Sequence, residues 1–444
     1  MRMSGSGVLV LRLVVDLNEA HRKMRTVSTR QVAWEVIYEV ESAGEYSNLL
    51  LPRILRSHDF EARDRGFITE LVYGTLRMRG LCDSAISKHS DRALDSIDLK
   101  VLVALRLGAY QLLQMEVSPH AAVSETVDLA KTVAGKSSSG FVNAILRRIT
   151  EDLDYEPKDI ESAYSHPTWI VNAFRDVLKS EDLLKAQLRA NNVPATPTLI
   201  PWPGRCEPDE LFEAGASKIE GSLRAFKFDG NPGDIPAIRD RRAGVQDLGS
   251  QILTEIFFRT GAAGMRWLDL CAGPGGKAAY LDSLVSDGEF IANEVAPERT
   301  NLVRQVVTRG KVTSFDGRTI HEHLEGFDRI LIDAPCTGLG ALRRRPEVRW
   351  RRKASDLREL IQLQSELLGS AAKALRVGGI IGYATCSPHL AETKMQVRNF
   401  LNLNENFERV SVGEMGDSDG DLQLWTFRDG TDCMYLALLR KIGL

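Results

Sequence analysis

Two cysteines fifty positions apart, Cys336 in Asp333-Ala334-Pro335-Cys336-Thr337-Gly338 and Cys386 in Ala384-Thr385-Cys386-Ser387-Pro388, each follow an apolar run that reads as a buried strand. A thiolate can attack an electron-poor ring carbon, so two such thiols beside a cofactor loop point to methylation at carbon 5 of a pyrimidine. Carbon 5 of cytosine is a poor nucleophile until a thiolate adds at carbon 6 and turns the ring double bond into an enamine. Free cysteines are ordinarily small buried hydrophobes, and that is the reading for Cys82, Cys206 and Cys433. Cys336 and Cys386 differ because Pro335 and Pro388 hold their loops and both follow strand ends of the same sheet.

The segment Asp269-Leu270-Cys271-Ala272-Gly273-Pro274-Gly275-Gly276-Lys277 runs from a short strand into a helix. Glycines there let the backbone approach a ligand closely, at the strand end where open α/β sheets bind their ligands. The spacing is neither the phosphate loop GxxxxGK(S/T) nor the dinucleotide GxGxxG. Glu294 ends the next strand, about where an acid would bind ribose hydroxyls, and Asp316 closes the third. Each acid alone is ordinarily a solvated loop carboxylate. Together with the glycine loop they suit an adenosine cofactor without a polyphosphate. Lys277 would ordinarily be a solvated charge at a helix start, and Cys271 lines the loop rather than reacting.

The elements that position these groups fall into three parts. Residues 1–25 read as a leader outside the fold; its apolar run Val8 to Val15 is too short to span a bilayer, and Met24 is a candidate true start. From Ser28 the period is helical, with capping-box spacing to Gln31 and a buried face of Ala33, Val36, Ile37 and Val40. Further helices fit Asp64 to Leu76, Leu99 to Leu113 and Val123 to Val133, with breaks at Gly80 and Val117-Ser118-Pro119. Lys136 to Gly140 reads as a flexible loop. Residues 26–150 are thus an all-α domain and 151–235 a small α+β connecting domain rich in proline. Residues 236–444 are an α/β Rossmann-like domain of alternating strands and helices. Its strands fit Arg266 to Leu270, Phe290 to Val295, Lys311 to Phe315, Arg329 to Ile332 and Ile380 to Ala384. A hairpin around Arg428-Asp429-Gly430 follows at the edge.

The 444 residues carry a net charge of -3, which excludes a uniformly basic nucleic-acid coat and requires any such contact to be local. A local patch exists: Arg343, Arg344, Arg345, Arg349, Arg351, Arg352 and Lys353 surround Trp350 directly after the first thiol loop. Its cations could bind phosphates and its indole could stack on a base, although Trp350 equally suits a core position. Six cysteines without CxxC spacing fit neither a zinc site nor a secreted disulfide framework, and a reducing cytoplasm is the simplest setting.

These motifs closely resemble the RNA cytosine-5 methyltransferases of the RsmB/Sun (Fmu) branch of the Nol1/Nop2/Sun family, from about residue 26 to the C terminus. Cys271 to Lys277 resembles the family's cofactor loop. Asp333 to Gly338 with Arg345-Pro346-Glu347-Val348-Arg349-Trp350 resembles its fourth motif, and Thr385-Cys386-Ser387-Pro388 its sixth. Asp64-Arg65-Gly66-Phe67 and Glu70 to Arg77 are similar to the NusB-like RNA-binding domain that this branch carries. Pro335-Cys336 alone would have suggested a DNA cytosine-5 methyltransferase; the second cysteine favours the RNA class.

The resemblance implies S-adenosyl-L-methionine on Cys271, Ala272, Gly273, Pro274, Gly275, Gly276 and Lys277, with Glu294 at its ribose, Arg299 in the same site and Asp316 near its adenine. Asp333 would form the active-site floor, Cys386 would be the nucleophile, Cys336 would serve release, and Lys277 would lie near base and cofactor. The expected substrate is 16S ribosomal RNA, with tRNA as the rival. The expected protein is cytoplasmic and monomeric, without metal or membrane association. A reading from another class is a non-catalytic RNA-binding assembly factor. Two departures from the family pattern stand out. Thr198-Leu199-Ile200-Pro201-Trp202-Pro203 lacks an expected arginine, and Glu294 replaces a frequent aspartate.

Overall fold

The computed structural model describes residues 28–261 and 264–443. The leader at residues 1–25 and the candidate start Met24 lie outside them. The chain divides into two compact units that meet between Ala163 and Tyr164 in sequence.

The first unit is helical. Ser28 caps the helix Thr29–Ser42 by accepting from the Gln31 amide at 3.1 Å, and Val32, Ala33, Val36 and Ile37 are fully buried on its inner face. The helix Leu99–Gln114 is buried on every side from Leu102 to Leu112, as expected of a central helix wrapped by its neighbours. Its one buried arginine, Arg106, is paired with Asp83 at 2.6 Å and with Glu41, so the charge is not left alone in the core. Lys136 to Gly140 is helical, not a loop: the helix Lys136–Thr150 begins immediately after Gly135. There the Ser138 hydroxyl donates to Gly135 O at 2.7 Å and Ala130 O at 3.1 Å, which satisfies it against the preceding helix. Gly80 likewise lies inside a helix, Arg79–His89, and the break falls at Met78.

The second unit opens with the helices Thr168–Leu178 and Glu181–Asn191. A small antiparallel sheet follows, ordered β2-β3-β1-β4, from β1 (Thr198–Pro201), β2 (Ser217–Lys218), β3 (Phe226–Lys227) and β4 (Ala243–Val245). Its edge strand β4 comes from beyond residue 235, so the connecting sheet runs into the sequence assigned to the third domain. The Thr198 to Pro203 segment that lacks the expected arginine forms β1 and ends on the buried Trp202.

The large sheet has the order β10-β12-β9-β8-β5-β6-β7, with β11 on β12. Its strands are β5 (Arg266–Asp269), β6 (Glu289–Asn293), β7 (Lys311–Thr313), β8 (Phe327–Asp333) and β9 (Leu375–Thr385), followed by β10 (Phe407–Val410), β11 (Leu422–Gln423) and β12 (Tyr435–Lys441). The five strands from β5 to β9 pair in parallel, and β12 inserts antiparallel to β9. β8 is apolar on both faces, with Ile330, Leu331 and Ile332 fully buried, because helices cover a parallel sheet on both sides. Each such side chain contributes about 2 kcal/mol by leaving water. The parallel register sets Asp333 beside Ala384 and so brings the loops that follow β8 and β9 together.

Candidate active site

The two thiols meet. Cys336 lies three residues past Asp333, Cys386 two past Ala384, and their Sγ atoms are 3.3 Å apart. Gly340 makes this approach possible: its amide donates to Cys386 O at 2.8 Å and its carbonyl accepts from the Cys433 amide at 3.0 Å. A Cβ on Gly340 would fall 2.0 Å from Cys433 O.

The hydrogen bond to Cys336 pulls the Cys386 pKa down, helped by the charges of Lys277 and Arg345 and opposed by burial and Asp333. The Cys336 pKa is pushed well up by the same bond, by burial, and by the charges of Cys386 and Glu392. Of the two thiols, Cys386 is thus the one whose ionisation its surroundings favour. The other cysteines are held as thiols. Burial, then the Asp269, Asp333 and Glu294 charges, push Cys271 well up. Burial also raises Cys206 to about 11 and Cys433 to about 12, and raises Cys82 further.

Lys277 Nζ lies 2.8 Å from Asp333 Oδ2, so the helix start after the glycine loop is tied to the end of β8. Burial alone would lower the Lys277 pKa, but Asp333, with Cys386 and Asp269 nearby, outweighs it and raises the value.

The glycine loop is built against β6. Glu294 is 3% exposed; its Oε2 accepts from the Gly273 amide at 3.0 Å and its Oε1 from the Ala296 amide at 2.9 Å. Arg299 pairs with Glu294 at 3.2 Å and donates to Gly273 O. A Cβ on Gly273 would sit 2.3 Å from Glu294 Oε2, so a larger residue there would push the Glu294 carboxylate off the loop. Asp316 is held through its carboxylate by Arg318, at 2.6 Å to Nη2, which lowers its pKa. Asn293, which the sequence did not single out, knits three strand ends. It donates to Leu270 O at 3.2 Å and Phe315 O at 3.0 Å and accepts from the Phe315 amide at 2.9 Å.

Asp269 is the larger omission. It is fully buried at the end of β5; the Cys271 amide approaches its carboxylate, but no side chain among the described residues hydrogen-bonds either oxygen. Burial, with the Asp333 charge beside it, raises its pKa to about 8, against the pull of Lys277. A buried carboxylate so weakly satisfied is costly, and a ligand bringing a cation or donor group relieves the cost. That requirement fits an adenosine cofactor carrying an amino-acid ammonium, as do the Gly273 cradle and the strand-end acids.

The basic run divides. Arg345 is exposed and close enough to bias Cys386. Arg343 is bound by Asp247 at 2.9 Å, Asp432 at 3.1 Å and Gly430 O at 2.9 Å, and Arg344 also pairs with Asp432. Arg352 reaches Asp356 at 3.8 Å, and Arg351 is half-buried in the short helix Val348–Arg351. Arg349 does not fit the expected RNA-facing role. It is fully buried and donates to Asn192 Oδ1 at 2.7 Å, Asn191 O at 2.7 Å and Ser165 O at 3.1 Å, closing the end of the helix Glu181–Asn191. His166 beside it is kept neutral by burial and then by the Arg349 charge, with Asn191 donating to its Nε2 at 3.1 Å. Among the described residues no helix is long and apolar enough to cross a membrane.

Comparison with known proteins agrees with this architecture. Residues 261–440 match the family described as 16S rRNA methyltransferase RsmB/F, and residues 27–151 match the NusB family. The Mycobacterium tuberculosis protein MT1451 is 40% identical over 93% of this chain and 96% of its own length. Ribosomal RNA small subunit methyltransferase B of Vibrio vulnificus is 31% identical over 94% of this chain and all of its own. The solved structure of PH0851 superposes with a TM-score of 0.78 at 25% identity, covering 93% of this chain and 99% of that one.

Proposed function

Because this chain belongs to the 16S rRNA methyltransferase RsmB/F family, we propose that it transfers methyl groups from S-adenosylmethionine to carbon 5 of cytosine in 16S ribosomal RNA, with Cys386 as nucleophile. The observation that carries this reading is the 3.3 Å pairing of Cys336 and Cys386 at the end of the glycine loop's sheet, with the Cys386 pKa drawn down and the Cys336 pKa pushed up.

The cofactor would lie against the loop from Cys271 to Lys277, with Asp269, Glu294, Arg299, Asp316 and Asp333 around it; when bound, it supplies an electrophilic methyl group. The Cys386 thiolate adds to carbon 6 of the cytosine, forming the sulfur–carbon bond and moving the ring electrons to carbon 5. Asp333, hydrogen-bonded to Lys277, would support this step by taking up a proton from solvent as the base binds and sharing it with ring N3 as negative charge develops there. Carbon 5 is then nucleophilic and takes the methyl group. Once Cys386 is a thioether, Cys336 has lost the anionic partner for its proton. Its proton passes to water, and the resulting thiolate takes the proton from carbon 5; the C–H electrons re-form the double bond between carbons 5 and 6 as the bond to Cys386 breaks and Cys386 leaves as a thiolate. The target base must leave its stack for Cys386 to reach it. The NusB-like unit and the exposed part of the basic run would hold the RNA.

The test is transfer of labelled methyl to ribosomal RNA by the full-length chain, with bisulfite sequencing of 16S rRNA and tRNA in cells with and without the gene. Loss of one 16S 5-methylcytosine on deletion is expected. Loss confined to tRNA would move the substrate, and cofactor binding with no RNA methylation would favour the assembly-factor reading.

A further inference from the structure

Glu392 is fully buried six residues beyond Cys386, and no lysine or arginine among the described residues forms an ion pair with it. A carboxylate in that setting is tolerated only if hydrogen bonds take the place of water. Its Oε1 accepts from the Thr337 amide at 2.8 Å and from Gln364 Nε2 at 3.3 Å, and its Oε2 accepts from the Thr337 hydroxyl. Gln364 Nε2 also donates to Pro335 O at 2.9 Å. The Thr337 and Ser387 hydroxyl oxygens are 3.1 Å apart, and the Tyr383 hydroxyl donates to the Glu392 carbonyl at 2.8 Å. The residues on both sides of Cys336, and the residue after Cys386, are therefore all tied to one side chain within two hydrogen bonds.

We propose that Glu392 is the positioning residue of the thiol pair, fixing Cys336 against Cys386 through Thr337, Gln364 and Ser387. The inference rests on the reading of Cys386 as the nucleophile. Glu392 touches no reacting atom. Its charge acts in the same direction as its bonds, since it faces Cys336 and opposes ionisation there. The groups that face the pair are Lys277, Asp333, Arg344 and Arg345 towards Cys386, and Glu392 and Tyr383 towards Cys336. Among these, each thiol faces one carboxylate, Asp333 or Glu392, but the cations Lys277, Arg344 and Arg345 lie on the Cys386 side, so the Glu392 charge is the one left without an opposing cation.

The test uses alkylation of the full-length chain by iodoacetamide without RNA, with mass spectrometry assigning the labelled cysteine, alongside single-turnover methyl transfer. Wild type should label chiefly at Cys386. Glu392→Gln keeps the shape and most of the bonds but removes the charge, so the fraction labelled at Cys336 should rise about threefold or more and methyl transfer should slow. Thr337→Val removes one hydroxyl, should slow transfer with cofactor affinity unchanged, and carries the test should Glu392→Gln not fold. If wild type labels chiefly Cys336, the nucleophile assignment fails and the positioning role falls with it. If wild type labels Cys386 but both variants keep its labelling ratio and transfer rate, the positioning role alone is overturned.

Discussion

Cys336 Sγ lies 3.3 Å from Cys386 Sγ, and the pKa values of the two thiols are driven in opposite directions. The asymmetry has identifiable sources. The bond between the thiols comes first; Lys277 and Arg345 then favour a charge on Cys386 against burial and Asp333, while burial and the Glu392 anion oppose one on Cys336. Two chemically identical side chains thereby differ in their readiness to ionise, and the pair titrates as one system.

Lys277→Met tests the cationic side. Removing the ammonium leaves Asp333 facing Cys386 without compensation, so the Cys386 pKa should rise and alkylation at pH 7 should slow, by about tenfold if the pKa climbs by about one. The rate measured against pH should show its rising limb moved to higher pH. An unmoved limb would remove Lys277 from the electrostatics of the nucleophile.

Gly340→Ala tests the backbone side. The new methyl would meet Cys433 O and Cys386 O, both main-chain atoms that cannot swing aside. A cost of about 1–3 kcal/mol is expected from the forced displacement. Because the strain falls between β12 and the Cys386 loop, methyl transfer should drop well beyond what the lost stability explains, with cofactor affinity near wild type. Urea unfolding, isothermal titration and single-turnover assays separate the three effects.

The strands β5 to β9 were legible because short apolar runs between glycines and polar helices have few other meanings, and the strand-end positions of Asp269, Glu294 and Asp333 followed from them. Side-chain environment was not legible. Arg349 sits in a run of seven basic residues and so reads as surface, but its partners are helix-end groups more than a hundred and fifty residues upstream. Glu392 has no local mark at all: its bonds come from residues 337 and 364, on other elements. Lys136 to Gly140 reads as a loop from its serines until the preceding helix supplies carbonyls for Ser138.

Arg349→Ala and Arg345→Ala should therefore part company. Losing the buried Arg349 leaves three acceptors unpaired and should cost about 3 kcal/mol or more of stability. Arg345→Ala should leave the melting temperature within about 1 °C, weaken RNA binding, and reduce the salt dependence of binding by about one phosphate contact. Equal destabilisation by the two would mean that Arg345 is also structural.

Asp269 yields a prediction that combines stability and binding. Its folded pKa, about 8, lies above the ordinary carboxylate value, so between the two the folded chain holds a proton that the unfolded chain has lost. Stability from this group is fully present below about pH 4 and is lost as pH rises through 8, with a slope of about 1.4 kcal/mol per pH unit between them. Other groups add their own slopes, so the measurement is the difference between wild type and Asp269→Asn. The variant stays neutral and should gain melting temperature relative to wild type as pH rises from 5 to 8. A cationic cofactor group resting on Asp269 would reverse the balance, because it favours the ionised carboxylate. Saturating S-adenosylmethionine should then release up to one proton per chain at pH 7, seen as a buffer-dependent enthalpy, and Asp269→Asn should abolish that release and weaken affinity. If the variant binds the cofactor as tightly as wild type and releases the same proton, Asp269 is a buried structural acid and the ammonium of the cofactor lies elsewhere.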